Sequence, residues 1–239
     1  MSGHSKWSTI KREKGAKDAK RGAVFTKLGN QIAIAARGGA DPTLNSSLAL
    51  AIEKAKSANM PMNNIQRAID RVSDKSAAQL EEIIYEGYGP GGIAIIVEAA
   101  TDNKNRTYPE VKHAFSKGGG AVAEPGSVMF QFAHRGVITL AVKGDSDELL
   151  LEVLDAGAED ALVDGDEMLV YTDMKDMHTV RKALVDAGMT VNDAELQYVA
   201  SSTVPVDDKE TEDKLFRLLE TLDDLDDVTN VYNNATFSD

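Results

Sequence analysis

At 239 residues and 42% apolar, the chain is long enough to bury its own cores, and with no cysteine it has no disulfides, thiolate nucleophiles or thiolate metal sites. No window approaches the roughly 18 apolar residues of a membrane span; the best, Gly92 to Thr101, contains Glu98. The formal charge of −13 hides a split: residues 1–75 carry 14 Lys/Arg against 6 Asp/Glu, and residues 76–239 carry 12 against 33. The start of the chain has neither an apolar core nor a cleavage site of the secretory kind, so a cytoplasmic protein is expected.

Residues 1–20 read as an arm. As one helix, Lys11, Arg12, Lys14, Lys17 and Lys20 would point around most of the circumference and leave no apolar stripe to pack. Helical spacing begins near Gly22 with Phe25, Leu28, Ile32 and Ala35, and stops at Gly38-Gly39. A second helix is expected from Leu44 to Ala58, with Leu48, Ile52 and Ala55 inward. A third follows Pro61, with Ile65, Ala68, Ile69 and Val72 as its stripe.

Beyond Ser76 the pattern turns to β. Ile83 to Tyr85 and Ile93 to Val97 read as strands around Gly87–Gly92. A helix from Thr107 to Lys117 and a strand from Val128 to Phe132 follow. Residues 137–142, 146–156, 160–163, 167–172, 174–187 and 190–199 then run βαββαβ, a complete split unit. After Val204-Pro205 come a helix (208–222) and a strand (227–232). Residues 80–132 give only ββαβ, so the tail is expected to return and supply the missing αβ pair, with the βαββαβ unit inserted between them. The boundaries that follow are a basic arm (1–21), a helical domain (22–78), a middle α/β domain (79–134 plus 206–239) and an inserted domain (135–205).

Several motifs favour structure over chemistry. Gly87-Tyr88-Gly89-Pro90-Gly91-Gly92 matches G-x-G-x-x-G, but the dinucleotide motif needs a helix after the glycines and here a strand follows. His4, His113, His134 and His178 lack the spacing of a metal pair. Asp223-Asp224 and Asp226-Asp227 read as a solvated turn rather than a cation loop. Asn105 is expected to cap the helix from Thr107, whose N-terminus, beside Arg106, could also receive a phosphate. No catalytic residue, metal ligand or cofactor is expected, and neither is a small-molecule substrate.

The basic head is the informative part. From Lys6 to Arg37 nine cations stand against Glu13 and Asp18. The only tryptophan, Trp7, lies among them. It can stack on a base or fill a groove while its neighbours neutralise phosphates, or anchor the arm on the helical domain. The candidate nucleic-acid contacts are Lys6, Trp7, Lys11, Arg12, Lys14, Lys17, Lys20, Arg21, Lys27 and Arg37.

A set of stretches carries a family resemblance: Gly3-His4-Ser5-Lys6-Trp7, Asp18-Ala19-Lys20-Arg21-Gly22, Phe25-Thr26-Lys27, Ala36-Arg37-Gly38-Gly39-Ala40-Asp41-Pro42, Asn59-Met60-Pro61, Tyr85 to Gly92, Asp102-Asn103-Lys104-Asn105-Arg106-Thr107 and His113 to Lys117. With them the chain closely resembles the YebC/PmpR family of probable transcriptional regulators. The resemblance implies an α+β fold: an N-terminal three-helix domain followed by two ferredoxin-like α/β domains, the second inserted into the first. It also implies a non-enzymatic regulator that binds nucleic acid. The first expectation is a DNA-binding transcriptional regulator. The alternative is a ribosome- or RNA-associated translation factor. Lys104 stands where the family often has Arg, and Gly118-Gly119-Gly120-Ala121 alters the usual asparagine-containing turn.

Overall fold

The structure, a computed structural model, describes residues 21–72 and 79–237, with Arg21 described by its backbone alone. The expected arm therefore lies outside the described residues. Three helices come first: α1 (Arg21–Ala35), α2 (Ser46–Ser57) and α3 (Met62–Asp70). Leu28, Ile32, Ala36, Leu48, Ile52, Ala55, Ile65, Ala68 and Ile69 form their shared core, with Phe25 and Ala35 half-buried against it. Asn45 ties the first two helices together. Its Oδ1 accepts from Leu48 N–H at 3.1 Å and so caps α2, while its Nδ2 donates to the Ala35 carbonyl at the end of α1 at 2.7 Å. The expected start of the second helix and one expected stripe member of the third fall outside. Leu44 precedes the cap and is 88% exposed, and Val72 lies past the end of α3.

The middle domain starts with β1 (Glu81–Tyr88), β2 (Ala94–Thr101), α4 (Lys104–Lys117) and β3 (Ala121–Ala123). Gly87–Gly92 is the β1–β2 connection, and Gly91 has φ +74°, a conformation that favours glycine. A strand follows these glycines, so the helix N-terminus that would hold a pyrophosphate does not form there. Asn103, not Asn105, caps α4, its side chain accepting from Asn105 N–H at 3.1 Å. The strand expected over Val128–Phe132 is replaced by a single 3₁₀ turn at Met129–Gln131. The cause is Glu86. Its buried carboxylate accepts from the backbone N–H groups of Gly126, Val128 and Met129 at 2.5, 2.7 and 2.8 Å, and so removes those donors from any sheet ladder. The short β3 pairs with β1 instead.

The inserted unit runs β4 (Phe132–Ala141), α5 (Ser146–Asp155), β5 (Asp160–Asp164), β6 (Glu167–Thr172), α6 (Met177–Asp186) and β7 (Val191–Ala200). Its sheet order is β5-β6-β4-β7, the order of a ferredoxin-like βαββαβ unit. Gly136, Ile138 and Leu140 pair with Thr172, Val170 and Met168, and all of these but glycine are fully buried. A side chain at Gly136 would strike Met177, so α6 covers this face. On the other face Val137 is buried, but Thr139, Leu169 and Tyr171 are only half-buried.

The tail adds β8 (Val204–Val206), α7 (Lys209–Asp223), β9 (Val228–Asn233) and β10 (Ala235–Phe237). β9 pairs antiparallel with β2 and completes the middle sheet in the order β3-β1-β2-β9, while β8 and β10 form a parallel pair. Leu215, Leu218, Leu219 and Leu222 of α7 join Val111 and Phe115 of α4 over Ile95, Val97 and Val231. A side chain at Gly118 would collide with Leu218 of α7, and one at Gly120 with the Tyr88 carbonyl of β1, so the glycine run packs closely against both. Ile96 and Tyr232 point to the opposite face and are also buried, because α1 runs against β2 and β9 there. The described residues thus form two compact units, one from the stretches before 133 and after 199, and one of residues 133–199. At the insertion point the Gln131 carbonyl accepts from Ser201 N–H at 2.8 Å, and its side-chain oxygen accepts from Asn234 Nδ2 at 3.0 Å.

Candidate nucleic-acid interface

Of the candidate contacts, Lys6, Trp7, Lys11, Arg12, Lys14, Lys17 and Lys20 lie outside the described residues, and so does the Arg21 side chain. Lys27 and Arg37 are described, and they differ. Lys27 is mostly buried. Its ammonium donates to the Asp223 carbonyl and lies 3.6 Å from the Asp223 carboxylate, which fastens α1 to the end of α7. Arg37 sits exposed in the 3₁₀ turn after α1. Residues 21–72 carry seven Lys/Arg against three Asp/Glu, so the helical domain is basic even without the arm.

Helices α2 and α3 are joined by residues 58–61, where Asn59 takes a left-handed φ of +59°. That is a helix–turn–helix connection of ordinary length. The buried face of α3 holds Ile65, Ala68 and Ile69, and its exposed face shows Asn63, Gln66 and Arg67 at i, i+3, i+4. These are residue types that read base edges in a major groove.

Between α1 and α3 lies an open groove of about 510 Å³ lined by Phe25, Thr26, Gly29, Asn30, Arg67, Ala68, Asp70 and Arg71. Asn30 is only 7% exposed as a residue. Arg67 is exposed at the rim. Arg71 reaches Asp102 at 3.5 Å. Sequence reading passed over Asn30; the available signal was a polar side chain between Leu28 and Ile32 on an otherwise apolar stretch.

The start of α4 is closed to a phosphate. Arg106 grips the Asp227 carboxylate with both oxygens within 2.8 Å, and Thr101 and Thr107 hydroxyls donate to the same carboxylate at 3.0 and 2.6 Å. Burial opposes the charge on Asp227, but the hydrogen bonds from Thr107, Arg106 and Thr101 outweigh it and hold its carboxyl below the usual range. Glu86 is held low in the same way, burial being outweighed by its three backbone donors. Asp223 and Asp227 thus serve as ion-pair partners. Among the described residues no three His, Asp or Glu side chains group as metal ligands, and no helix is long and apolar enough to cross a membrane.

The TACO1/YebC protein N-terminal domain profile matches residues 5–75, and the profile of the TACO1/YebC second and third domain matches residues 80–235. The chain belongs to the TACO1/YebC family. A protein of Chloroflexus aurantiacus is 53% identical over 240 residues, covering 98% of this chain and 95% of its own. One from Desulfitobacterium hafniense is 48% identical, covering 100% and 97%. Both are described as "Probable transcriptional regulatory protein". The crystal structure of a conserved hypothetical protein from Aquifex aeolicus superposes with a TM-score of 0.88 at 40% identity, covering 94% of each chain. The family and fold expected from the motifs are therefore the family and fold of this chain.

Proposed function

We propose that this TACO1/YebC protein is a non-enzymatic regulator of gene expression that binds nucleic acid through its helical end and basic arm, with DNA as the target. The charge split carries the reading: a net +8 head on a −21 body confines contact with a polyanion to one end. The description of its relatives as probable transcriptional regulatory proteins agrees with it. DNA is favoured by the α2–α3 turn, which presents Asn63, Gln66 and Arg67 on one exposed face. An RNA- or ribosome-bound translation factor is the second reading, since neutralising phosphates with the basic end serves RNA as well as DNA.

Crosslinking in cells, with bound DNA and RNA sequenced separately, tests the target. Enrichment of genomic sites supports the first reading, and recovery of ribosomal or messenger RNA alone replaces it with the second. In vitro, a chain lacking residues 1–20 should bind more weakly with a flatter salt dependence, by roughly 0.9 in slope per lost contact on duplex DNA and roughly 0.7 on single strands. Unchanged affinity and slope would remove the arm from the interface.

A further inference from the structure

We infer that β5, an outer strand of the inserted domain's sheet, pairs with an extended, basic segment of a partner protein, which joins the sheet as one more strand. The sheet order β5-β6-β4-β7 puts β5 at one end, and among the described residues it pairs with β6 alone. The far edge of such a strand turns backbone N–H and C=O groups outward, a template for a further strand. Its side chains are open as well. Leu162 is 41% and Val163 42% exposed, although they point to opposite faces of the sheet. Lysine and proline, which commonly blunt an edge, are absent from β5, and both of its charges are negative.

Charge sets the chemistry of the occupant. On the face away from the helices, Asp160, Leu162 and Asp164 alternate along β5, opposite Tyr171, Leu169 and Glu167 of β6. Burial pushes the Tyr171 hydroxyl up, and the carboxylates of Asp160 and Asp164 push it further, so both charges lie near this face. Asp160 Oδ1 accepts from Ala161 N–H at 2.8 Å, which holds that carboxylate close to the strand. Residues 133–199 carry 15 acids against 5 bases. Two of those bases, Arg135 and Lys182, already pair with Glu159 and Asp186. A polyanion or an acidic strand is repelled here. An added strand is attracted if it sets a cation beside Asp160, an apolar side chain beside Leu162 and a second cation beside Asp164, because unlike charges and apolar groups directly opposed stabilise neighbouring strands. With side chains alternating between faces, the segment reads cation-x-apolar-x-cation. That pattern is the same in both directions, so it fits parallel or antiparallel addition.

The test uses the full chain and a fluorescein-labelled peptide, Gly-Ser-Lys-Thr-Leu-Thr-Lys-Ser-Gly, read by anisotropy at low salt. One control replaces both lysines by glutamate. The other permutes the same composition to Gly-Ser-Lys-Lys-Leu-Thr-Thr-Ser-Gly. The patterned peptide should bind about 5- to 20-fold tighter than the glutamate peptide and about 2- to 5-fold tighter than the permuted one. Asp160→Asn together with Asp164→Asn should erase both preferences. Asp160→Lys together with Asp164→Lys should make the glutamate peptide the better ligand. Preferences unchanged in the folded double variants overturn the proposal. If neither variant folds, wild-type amide resonances decide: those of residues 160–164 should shift with the patterned peptide, and shifts elsewhere alone, or none, overturn it. A patterned peptide that binds no tighter than the permuted one overturns strand addition. Binding seen only after residues 1–20 are removed makes the chain's own basic arm the occupant and overturns the partner. A single-stranded oligonucleotide that shifts residues 160–164 overturns the charge argument.

Discussion

The middle and inserted domains place two helices on a four-stranded sheet, yet they use it differently. In the middle domain every residue from Ile93 to Val97 is fully buried, because α4 and α7 cover one face and α1 runs against the other. In the inserted domain only the face under the helices reaches that level, and Leu151 on α5 is 64% exposed. Residues 133–199 also carry 15 acids against 5 bases. The middle domain is assembled from segments about a hundred residues apart, whereas the inserted one is continuous. A four-stranded sheet with two helices thus serves once as the hub of a unit and once as a self-contained acidic body.

The largest effect that would break this contrast is loss of the tail. Removing residues 206–237 takes away β9 and the four buried leucines of α7. Amide exchange should then show protection lost across residues 81–123 and kept across 133–199. Protection retained over 81–123 would mean that the middle domain stands without the tail.

Asp227→Ala comes next. It removes the nearer of the two carboxylates that Arg106 pairs with, and the buried acceptor shared by the Thr101 and Thr107 hydroxyls. Urea unfolding should show a loss of about 3 kcal/mol. A loss under about 1 kcal/mol would show that solvent replaces the carboxylate.

Glu86→Gln should cost about 2 kcal/mol, since an amide NH₂ cannot accept the N–H groups that now converge on both carboxylate oxygens. The pH dependence sharpens the assignment. Glu86 and Asp227 titrate lower in the folded chain than in the unfolded one. Their contribution is present above the ordinary carboxylate pKa and is lost as pH falls through the folded values, because the unfolded chain binds more protons there. Melting curves between pH 6 and pH 3 should fall less steeply for Glu86→Gln than for the wild type. Parallel curves would detach that carboxylate from acid stability.

The smallest effect belongs to the inserted domain's surface. Leu151→Ala should change stability by no more than about 0.5 kcal/mol, as the side chain faces solvent. A larger loss in thermal unfolding would reveal a covering contact on α5.

Local periodicity carried much of the fold. The strand expected over residues 167–172 is β6 to the residue, and the helix expected over 208–222 is α7 shifted by one. What escaped was set by contacts distant in sequence. Nothing near Val128 announces that a glutamate some forty residues earlier will claim its N–H. Val72 continues the α3 spacing, but the helix has already ended. Arg106 looked available to a phosphate because Asp227, its partner, lies 121 residues away. In the candidate interface, composition revealed the basic end but could not tell Lys27, spent on Asp223, from Arg37, which is exposed.

The meeting of Gln131 with Ser201 has a consequence for how such a chain can be rebuilt. The polypeptide leaves and re-enters the middle domain one hydrogen bond apart, at 2.8 Å. From the standpoint of that domain, the excursion through residues 133–199 is a closed loop whose ends are already fixed, and its length enters only logarithmically. The position is therefore a graft point. A short hairpin, or a foreign domain whose own termini lie side by side, fits in the same place without altering the register of β1, β2 and β9.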